Sequence, residues 1–216
     1  VKKVEATHPD GKITAQGSVP FDFNINSPSI GRYFPGESLD FHVLAQLGSL
    51  PFLTPYIADL DSVRGDMDIS LSLTGPVESI QRSGHIKVKN GRIYTLLTAD
   101  PVTSVEGEAF MNHNQLVIQA LIATLYHSNG KYPKPKKQNT TLSGSIDFTQ
   151  FFNPGYDLHL KGKEASFKAL YLDITGQSNV DVTISGRDTI TIAGTIESLD
   201  ANIFYEFTLV YYNFDI

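Results

Sequence analysis

Histidine and carboxylate side chains are the residues of this sequence that could support catalysis or metal binding. The histidines are scattered, and none lies in the close pairs that metal sites favour. Asp66 and Asp68 could contribute to a cation site, but a solvated strand face explains the pair at least as well, because two carboxylates alone are too few ligands. The six histidines are His8, His42, His85, His113, His127 and His159.

The sequence carries no catalytic motif. Gly-x-Ser-x-Gly, phosphate-binding loops and dinucleotide fingerprints are all missing. Cysteine is absent, which excludes disulfides, thiol catalysis and cysteine-based metal sites but leaves the compartment open. A glycan-acting enzyme on a β scaffold would need two carboxylates about 5–10 Å apart in a cleft, and nothing in the sequence points to such a pair. We therefore predict no enzyme, no catalytic residues, no metal site and no cofactor.

The composition is that of an ordered chain with an acidic balance. Of the 216 residues, 41% are hydrophobic and 19% are charged, and the formal net charge is −6. The negative charge argues against nucleic acid as a partner. The lysines between Lys131 and Lys137, with Tyr132 among them, could contact anionic lipid head groups at about 1 kcal/mol per lysine, although a solvated loop is the simpler interpretation.

The elements that must position any functional surface are strands, as the stretch from Gly65 to Tyr94 illustrates. Apolar and polar residues alternate from Asp66 to Thr74, which places the two sets on opposite faces of a strand. Gly75-Pro76 is expected to end this strand, Gly84 to open the next, and Asn90-Gly91 to form a tight turn. The sequence therefore predicts a β-meander with one apolar face and one solvent-exposed polar face.

A modest internal repeat extends this pattern along the chain. The motif apolar-x-apolar-x-Gly ends at Gly75, Gly162, Gly176, Gly186 and Gly194. Short strands at regular spacing predict antiparallel hairpins, and parallel βαβ units are excluded because crossover helices are missing. We predict an all-β fold with a strand at Gln115–Leu125 and one short helical insert near residues 44–60, where apolar residues have mixed spacing.

A sheet that is apolar on one face must bury that face against another sheet, against itself as a barrel, or against a ligand. Composition alone favours a closed β-sandwich or barrel, which would serve as a surface or adhesion module. This closed fold is the alternative to the open sheet described next.

Two segments carry a resemblance to a known family: GDMDISLSLTGPVESIQRSGHIKVKNGRIY, and DPVTSVEGEAFMNHNQLVIQALIATL after it. They resemble the TamB/AsmA-like family of bacterial envelope proteins in the order of their strands, in the glycines at the strand ends and in the alternation of apolar and polar residues. A looser second copy spans Leu142 to Phe204. The Lys/Pro loop at 127–138 and the aromatic tail at 207–214 depart from the family pattern.

The resemblance implies an elongated, strongly curved, U-shaped antiparallel sheet with an apolar inner groove. Residues 1–216 would form one continuous groove segment, with repeat-like units at about 12–125 and 139–212. Both ends of the sequence are interpreted as cut, so the segment is expected to belong to a longer protein with its membrane contact outside this fragment.

The resemblance also implies a non-enzymatic function in the periplasm of a Gram-negative envelope. The parent protein would be anchored in the inner membrane and would move phospholipid between the two membranes, aiding outer-membrane biogenesis and protein secretion. Its partners would be phospholipid acyl chains and, through the parent chain, an outer-membrane β-barrel. The expected groove lining is Ile69, Leu71, Leu73, Ile86, Val88, Leu158, Leu160, Val182, Ile184, Ile190 and Ile192.

Overall fold

The fold is a single antiparallel sheet in the described part of the chain. A computed structural model describes residues 3–22, 24, 26, 34, 36–50, 60–95, 98, 100–127, 133–150, 153–169 and 174–203. Their eleven strands follow one another across the sheet in chain order, which confirms the predicted all-β class and the antiparallel hairpins. The strands are β1 (Lys3–His8), β2 (Gly11–Ser18), β3 (Ser38–Ser49), β4 (Leu60–Pro76), β5 (Gln81–Thr95), β6 (Val102–Asn112), β7 (Gln115–Thr124), β8 (Thr140–Asp147), β9 (Gly155–Ala169), β10 (Ile174–Gly186) and β11 (Ile190–Ile203).

The sheet is open. Strands β1 and β11 each pair with one neighbour only among the described residues, so they form its two edges. A barrel requires its first and last strands to pair. The described strands therefore do not form the closed barrel of the alternative prediction.

Strand β4 shows why these residues form long strands. Its alternating residues match the period of two over most of its length, and Pro76 ends it because proline has no amide hydrogen for the ladder. A single 3-10 turn at Val77–Ser79 connects β4 to β5. The predicted strand at Gln115–Leu125 is also confirmed, as β7.

The helical insert predicted near 44–60 is wrong where the structure describes it, because residues 44–49 continue β3. The mixed spacing that suggested a helix comes from Leu44, an apolar residue on the otherwise polar face, where 58% of it is exposed. Ala45 and Leu47 lie on the apolar face, so the period of two holds in this part of β3 and Leu44 is its one exception. The remainder of the predicted insert, residues 51–59, lies outside the described residues.

The tight turn predicted at Asn90-Gly91 is also wrong, because β5 runs through both residues to Thr95. Asn90 does adopt the positive φ of a turn residue, at 52°. Here the positive φ belongs to an irregularity in the pairing of β5 with β6 between Val88 and Gly91. The Asn90 side chain donates to Asp66 Oδ2 at 2.9 Å, so the asparagine ties this bulge to β4.

Irregular pairing and burial both concentrate at one end of the central strands. We call it the upper end: the end at which β4, β6 and β8 begin. Register shifts interrupt most strand pairs there, as at Arg64/Asp66 and Ile118/Leu121. The buried side chains of this region are Leu50, Met67, Val105, Ala123, Thr124, His127, Thr140, Ala165, Ser166, Gln177 and Ser178. Most buried side chains of the described residues therefore lie at the upper end, and the others, Leu39, Ala45, Ala109, Ile118 and Val182, lie farther along the strands.

Asn139 holds the upper end together where β8 begins. Its side-chain amide lies within hydrogen-bond distance of the carbonyl oxygens of Leu125, Lys163 and Glu164, at 2.9, 2.9 and 3.3 Å. Its side-chain oxygen accepts from the Leu125 amide at 2.9 Å. One asparagine thus joins β9 to the residue after β7, across the start of the strand between them.

Candidate functional site

The apolar face of the sheet is built from three rows of residues that cross the strands. Residues directly opposite each other on neighbouring strands point to the same face, so the strand register defines each row. The first row is His8, Gly11, Leu47, Met67, Val88, Gly107, Leu121, Leu142, Leu160, Val182 and Gly194. The second is Ala6, Ile13, Ala45, Ile69, Ile86, Ala109, Ile118, Gly144, Leu158, Ile184 and Ile192. The third is Val4, Ala15, Val43, Leu71, Gly84, Met111, Leu116, Ile146, Tyr156, Gly186 and Ile190.

The register places every residue of the expected groove lining on this one face. Leu73 lies in the adjoining row, opposite Phe41 and Arg82. The other ten fall within the three rows: Val88, Leu160 and Val182 in the first, Ile69, Ile86, Leu158, Ile184 and Ile192 in the second, and Leu71 and Ile190 in the third. Whether they line a groove that holds lipid stays a prediction.

The rows also contain apolar residues outside the expected groove lining. Met67 lies between Leu47 and Val88, and Ile118 lies between Ala109 and Gly144. The alternation of β4 already included Met67, so the pattern could have found it. Ile118 follows two other apolar residues in β7, Leu116 and Val117, so a period of two is not visible there and only the pairing with β6 and β8 assigns its face.

Exposure of the apolar face changes from the centre to the last strand. Met67 in the first row is 2% exposed, whereas Ile192 in the second row is 68% exposed. Ile190 and Ile196, also on β11, are likewise exposed. Near the opposite edge, Val4 and Ile13 are 53% and 41% exposed. The same face is therefore packed in the middle of the sheet and open to solvent along both edges.

Glycines occupy positions in the rows that no other residue can take. Gly144 lies between Ile118 and Leu158 with φ at +126°, and a Cβ there would be 2.1 Å from the carbonyl oxygen of Asp157. Only glycine adopts this backbone without strain. Glycine inside a strand allows the neighbouring strand to approach closely and is a means of bending a sheet.

The opposite face carries charged and polar side chains in cross-strand groups. Glu108 accepts from Lys87 Nζ at 2.5 Å and lies 3.2 Å from His85 Nε2. The hydrogen bond from Lys87 holds the pKa of Glu108 below its ordinary value, and the same bond raises the pKa of Lys87. The His85 ring stacks on Phe110 with centroids 4.7 Å apart. These contacts explain His85 as part of a solvated strand face.

One group on this polar face has the composition of a catalytic triad. His42 lies 2.8 Å from Ser72 Oγ and 2.9 Å from Asp40 Oδ1. Ser72 is paired with strands on both sides, so its neighbouring backbone amides are committed to the ladder and do not offer an oxyanion hole. The geometry lacks the element that stabilises the charged intermediate of acyl transfer, and the prediction of no enzyme stands as a prediction.

The candidate cation pair has other partners. Asp66 accepts from Asn90, and Asp68 accepts from Gln46 at 3.3 Å. Within the residues that the structure describes, no three histidine or carboxylate side chains form a group that could hold a metal. His127, which is buried, lies 2.8 Å from Asp100 Oδ2 at the upper end.

Comparisons with known proteins add no relative. No family model, curated protein or solved structure matches this chain. In the described part of the chain, no helix has both the length and the apolar character needed to span a membrane.

Proposed function

We propose that this chain is a non-enzymatic lipid-conduit segment of a TamB-like envelope protein. Its apolar face would carry phospholipid acyl chains between the inner and outer membranes and so aid outer-membrane biogenesis. The observation that carries the proposal is the set of three apolar rows. Along the described strands these rows contain no aspartate, glutamate, lysine or arginine, and the first row ends at the edge of the sheet with His8, opposite Gly11.

The dimensions of these rows suit a hydrocarbon chain. Neighbouring strands lie about 4.8 Å apart, so eleven strands give an apolar band about 48 Å wide. Each methylene group removed from water contributes about 0.8 kcal/mol. A band of this width therefore holds acyl chains by burial alone, while the phosphate head group remains in water, and no specific binding motif is required.

The burial of the central side chains supports a sheet curved toward its apolar face. On a flat single sheet, a side chain in the middle keeps its outer surface exposed, yet Met67 is almost fully buried. Bulges and glycines inside strands are the means by which sheets curve, and both are frequent here, as at Gly144 and at the bulge between Ile118 and Leu121. These features favour a trough over a plane.

The proposed setting follows from the family resemblance. The parent protein would be anchored in the inner membrane, cross the periplasm and meet an outer-membrane β-barrel. The fragment would contribute the walls of the trough, and its exposed edge strand β11 would keep one side of the apolar surface accessible.

The test compares one leucine on each face of the sheet. Leu71 on β4 belongs to the third apolar row, whereas Leu44 on β3 lies on the polar face. We expect purified wild-type protein to carry phospholipid detectable by mass spectrometry. Leu71→Arg is expected to remove that lipid while the circular dichroism of the sheet is kept, and Leu44→Arg to retain it.

The opposite outcome supports the closed module. If wild-type protein carries no lipid and Leu71→Arg unfolds the domain, the apolar face is a closed core and the conduit is excluded. Small-angle scattering of the wild type gives an independent criterion, because a trough is elongated and a closed sandwich is compact.

A further inference from the structure

The polar face contains a cleft lined by lysines, distinct from the apolar rows. It has a volume of about 670 Å³ and lies where residues 135–139 pass beside β8, β9 and β10. Its charged lining consists of Lys136, Lys137, Lys161, Lys163, Glu164 and Asp181. Four ammonium groups and two carboxylates give the cleft a charge of +2, in a chain whose formal net charge is −6.

The strand register places the cleft on the side of the sheet away from the apolar rows. Thr141, Lys161 and Asp181 lie directly opposite one another on β8, β9 and β10. The residues that follow Thr141 and precede Lys161 in their strands, Leu142 and Leu160, belong to the first apolar row. Because successive side chains alternate between faces, a ligand in the cleft does not compete with a ligand on the apolar face.

Hydrogen bonds fix the backbone around the cleft, whereas its four lysine side chains are exposed to solvent. Lys163 N donates to the carbonyl oxygen of Asn139 at 2.9 Å, and Asn139 in turn binds the neighbouring chain segments as described above. Glu164 N donates to Asn179 Oδ1 at 3.1 Å. These two backbone amides are thus occupied, and the lysine ammonium groups are the charged donors that the cleft offers to a ligand.

Three of the four lysines have no acidic partner among the described residues. Lys161 lies 3.6 Å from Asp181, whose carboxylate is also 2.6 Å from His159 Nε2. Lys136, Lys137 and Lys163 are exposed and form no salt bridge within that part of the chain. A lysine on its flexible stem binds phosphate as a point charge and needs no fixed geometry.

We propose that this lysine cleft binds the phosphate groups of an anionic bilayer surface. The combination of exposed ammonium groups on long side chains with occupied backbone amides suits the many phosphates of a bilayer surface better than one tightly held phosphate ion. The inference goes beyond the proposed conduit, because it places a membrane contact on the opposite face of the sheet, within this segment rather than outside it.

The experiment measures sedimentation of the full chain with vesicles of phosphatidylcholine, with or without phosphatidylglycerol. The test variant is Lys136→Gln/Lys137→Gln/Lys163→Gln. The control variant Lys12→Gln/Lys89→Gln/Arg92→Gln removes the same charge from exposed positions on β2 and β5. Lysine near an anionic surface contributes about fivefold in affinity, equivalent to about 1 kcal/mol, so we expect the test variant to bind on the order of a hundredfold more weakly.

The proposal is supported if the wild type binds only the vesicles that contain phosphatidylglycerol, if added salt weakens binding, and if the control variant binds more strongly than the test variant. It is overturned if the wild type does not distinguish the two vesicles, or if both variants lose equal affinity. Displacement by inorganic phosphate at equal ionic strength, where chloride has no effect, identifies a site for free phosphate instead and also overturns it. Leu71→Arg separates the two proposals, because this variant should keep vesicle binding even if it loses co-purified lipid.

Discussion

Met67 on β4 and Ile192 on β11 occupy the same face of one sheet, yet only the first is buried. Met67 has an apolar neighbour directly opposite on each side, in β3 and β5. Ile192 has Ile184 on one side and, among the described residues, no strand on the other. Equal alternation therefore produces a packed surface where strands continue on both sides and an open surface where they end.

The largest expected effect comes from placing a charge at each of these positions. Met67→Arg should destabilise the fold by on the order of 4 kcal/mol, because the guanidinium would be buried without a partner. Ile192→Arg should change stability by less than about 0.5 kcal/mol, since the side chain remains in water. Urea unfolding followed by circular dichroism measures both, and equal losses would contradict the contrast between centre and edge.

A smaller contrast is expected between two asparagines. Asn139→Ala removes the side-chain partner of backbone groups in β9 and in the residue after β7, which are part-buried at Leu125 and Glu164. A polar group left without a partner in the interior costs about 1–3 kcal/mol. We therefore expect a loss of about 3 kcal/mol. Asn179→Ala, on β10 beside the edge strand, removes two hydrogen bonds near solvent, and about 1 kcal/mol is expected. Denaturant midpoints compare the two variants, and a larger loss for Asn179→Ala would show that the upper end does not depend on Asn139.

Substitution of glycine tests the curvature of the central strands. Gly144→Ala should cost about 2 kcal/mol, because an alanine at this positive φ is strained and its Cβ would meet a carbonyl oxygen. Gly48→Ala is the control, since its nearest heavy atom would be 3.4 Å away. The control should be neutral within about 0.5 kcal/mol. Thermal unfolding measures both, and tolerance of alanine at Gly144 would argue against a constrained bend.

The smallest effect concerns pH dependence. Hydrogen bonds from lysines lower the pKa of Glu108 on β6 and of Glu5 on the edge strand β1. A carboxylate with a lowered folded pKa stabilises the fold above its ordinary pKa, and that contribution is lost as pH falls through the lowered value. Below pH 4.5, wild-type protein should lose stability as these carboxylates become protonated. Glu108→Gln should reduce this loss more than Glu5→Gln, because Glu108 lies on a strand paired on both sides, whereas Glu5 lies on the edge strand β1, which pairs only with β2. Equal changes in acid unfolding curves would contradict this ranking.

The sequence was sufficient to assign the faces of several strands, because alternation depends only on the chain itself. Residues 66–74 illustrate this, and all eleven expected lining residues lie on one face. Local exceptions break the pattern at Leu44, one apolar residue on the polar face, and at Asn90-Gly91, where a dipeptide typical of turns forms a bulge. Burial was not predictable, since it depends on neighbours: Ile184 and Ile192 share one pattern but lie at different distances from the edge.

The lysine cleft shows a second limit. Lys136 and Lys137 are visible as a basic run in the sequence, but Lys161 and Lys163 lie on a strand that follows much later. Only the pairing of β8 with β9, together with the hydrogen bond between Lys163 and Asn139, brings the two groups to one place. Prediction of a charge cluster that forms across strands requires the strand register, and local sequence patterns do not supply that register.

The order of the strands has a consequence for how the chain acquires its structure. Each strand pairs with the strands immediately before and after it in sequence, so each pairing closes only a connecting loop and contact order is low. The sheet can therefore grow strand by strand from its first hairpin while later residues are still being synthesised or exported. In a chain that emerges gradually, from a ribosome or through a membrane pore, the first strands can pair before the last strand has emerged, because no early strand pairs with a late one.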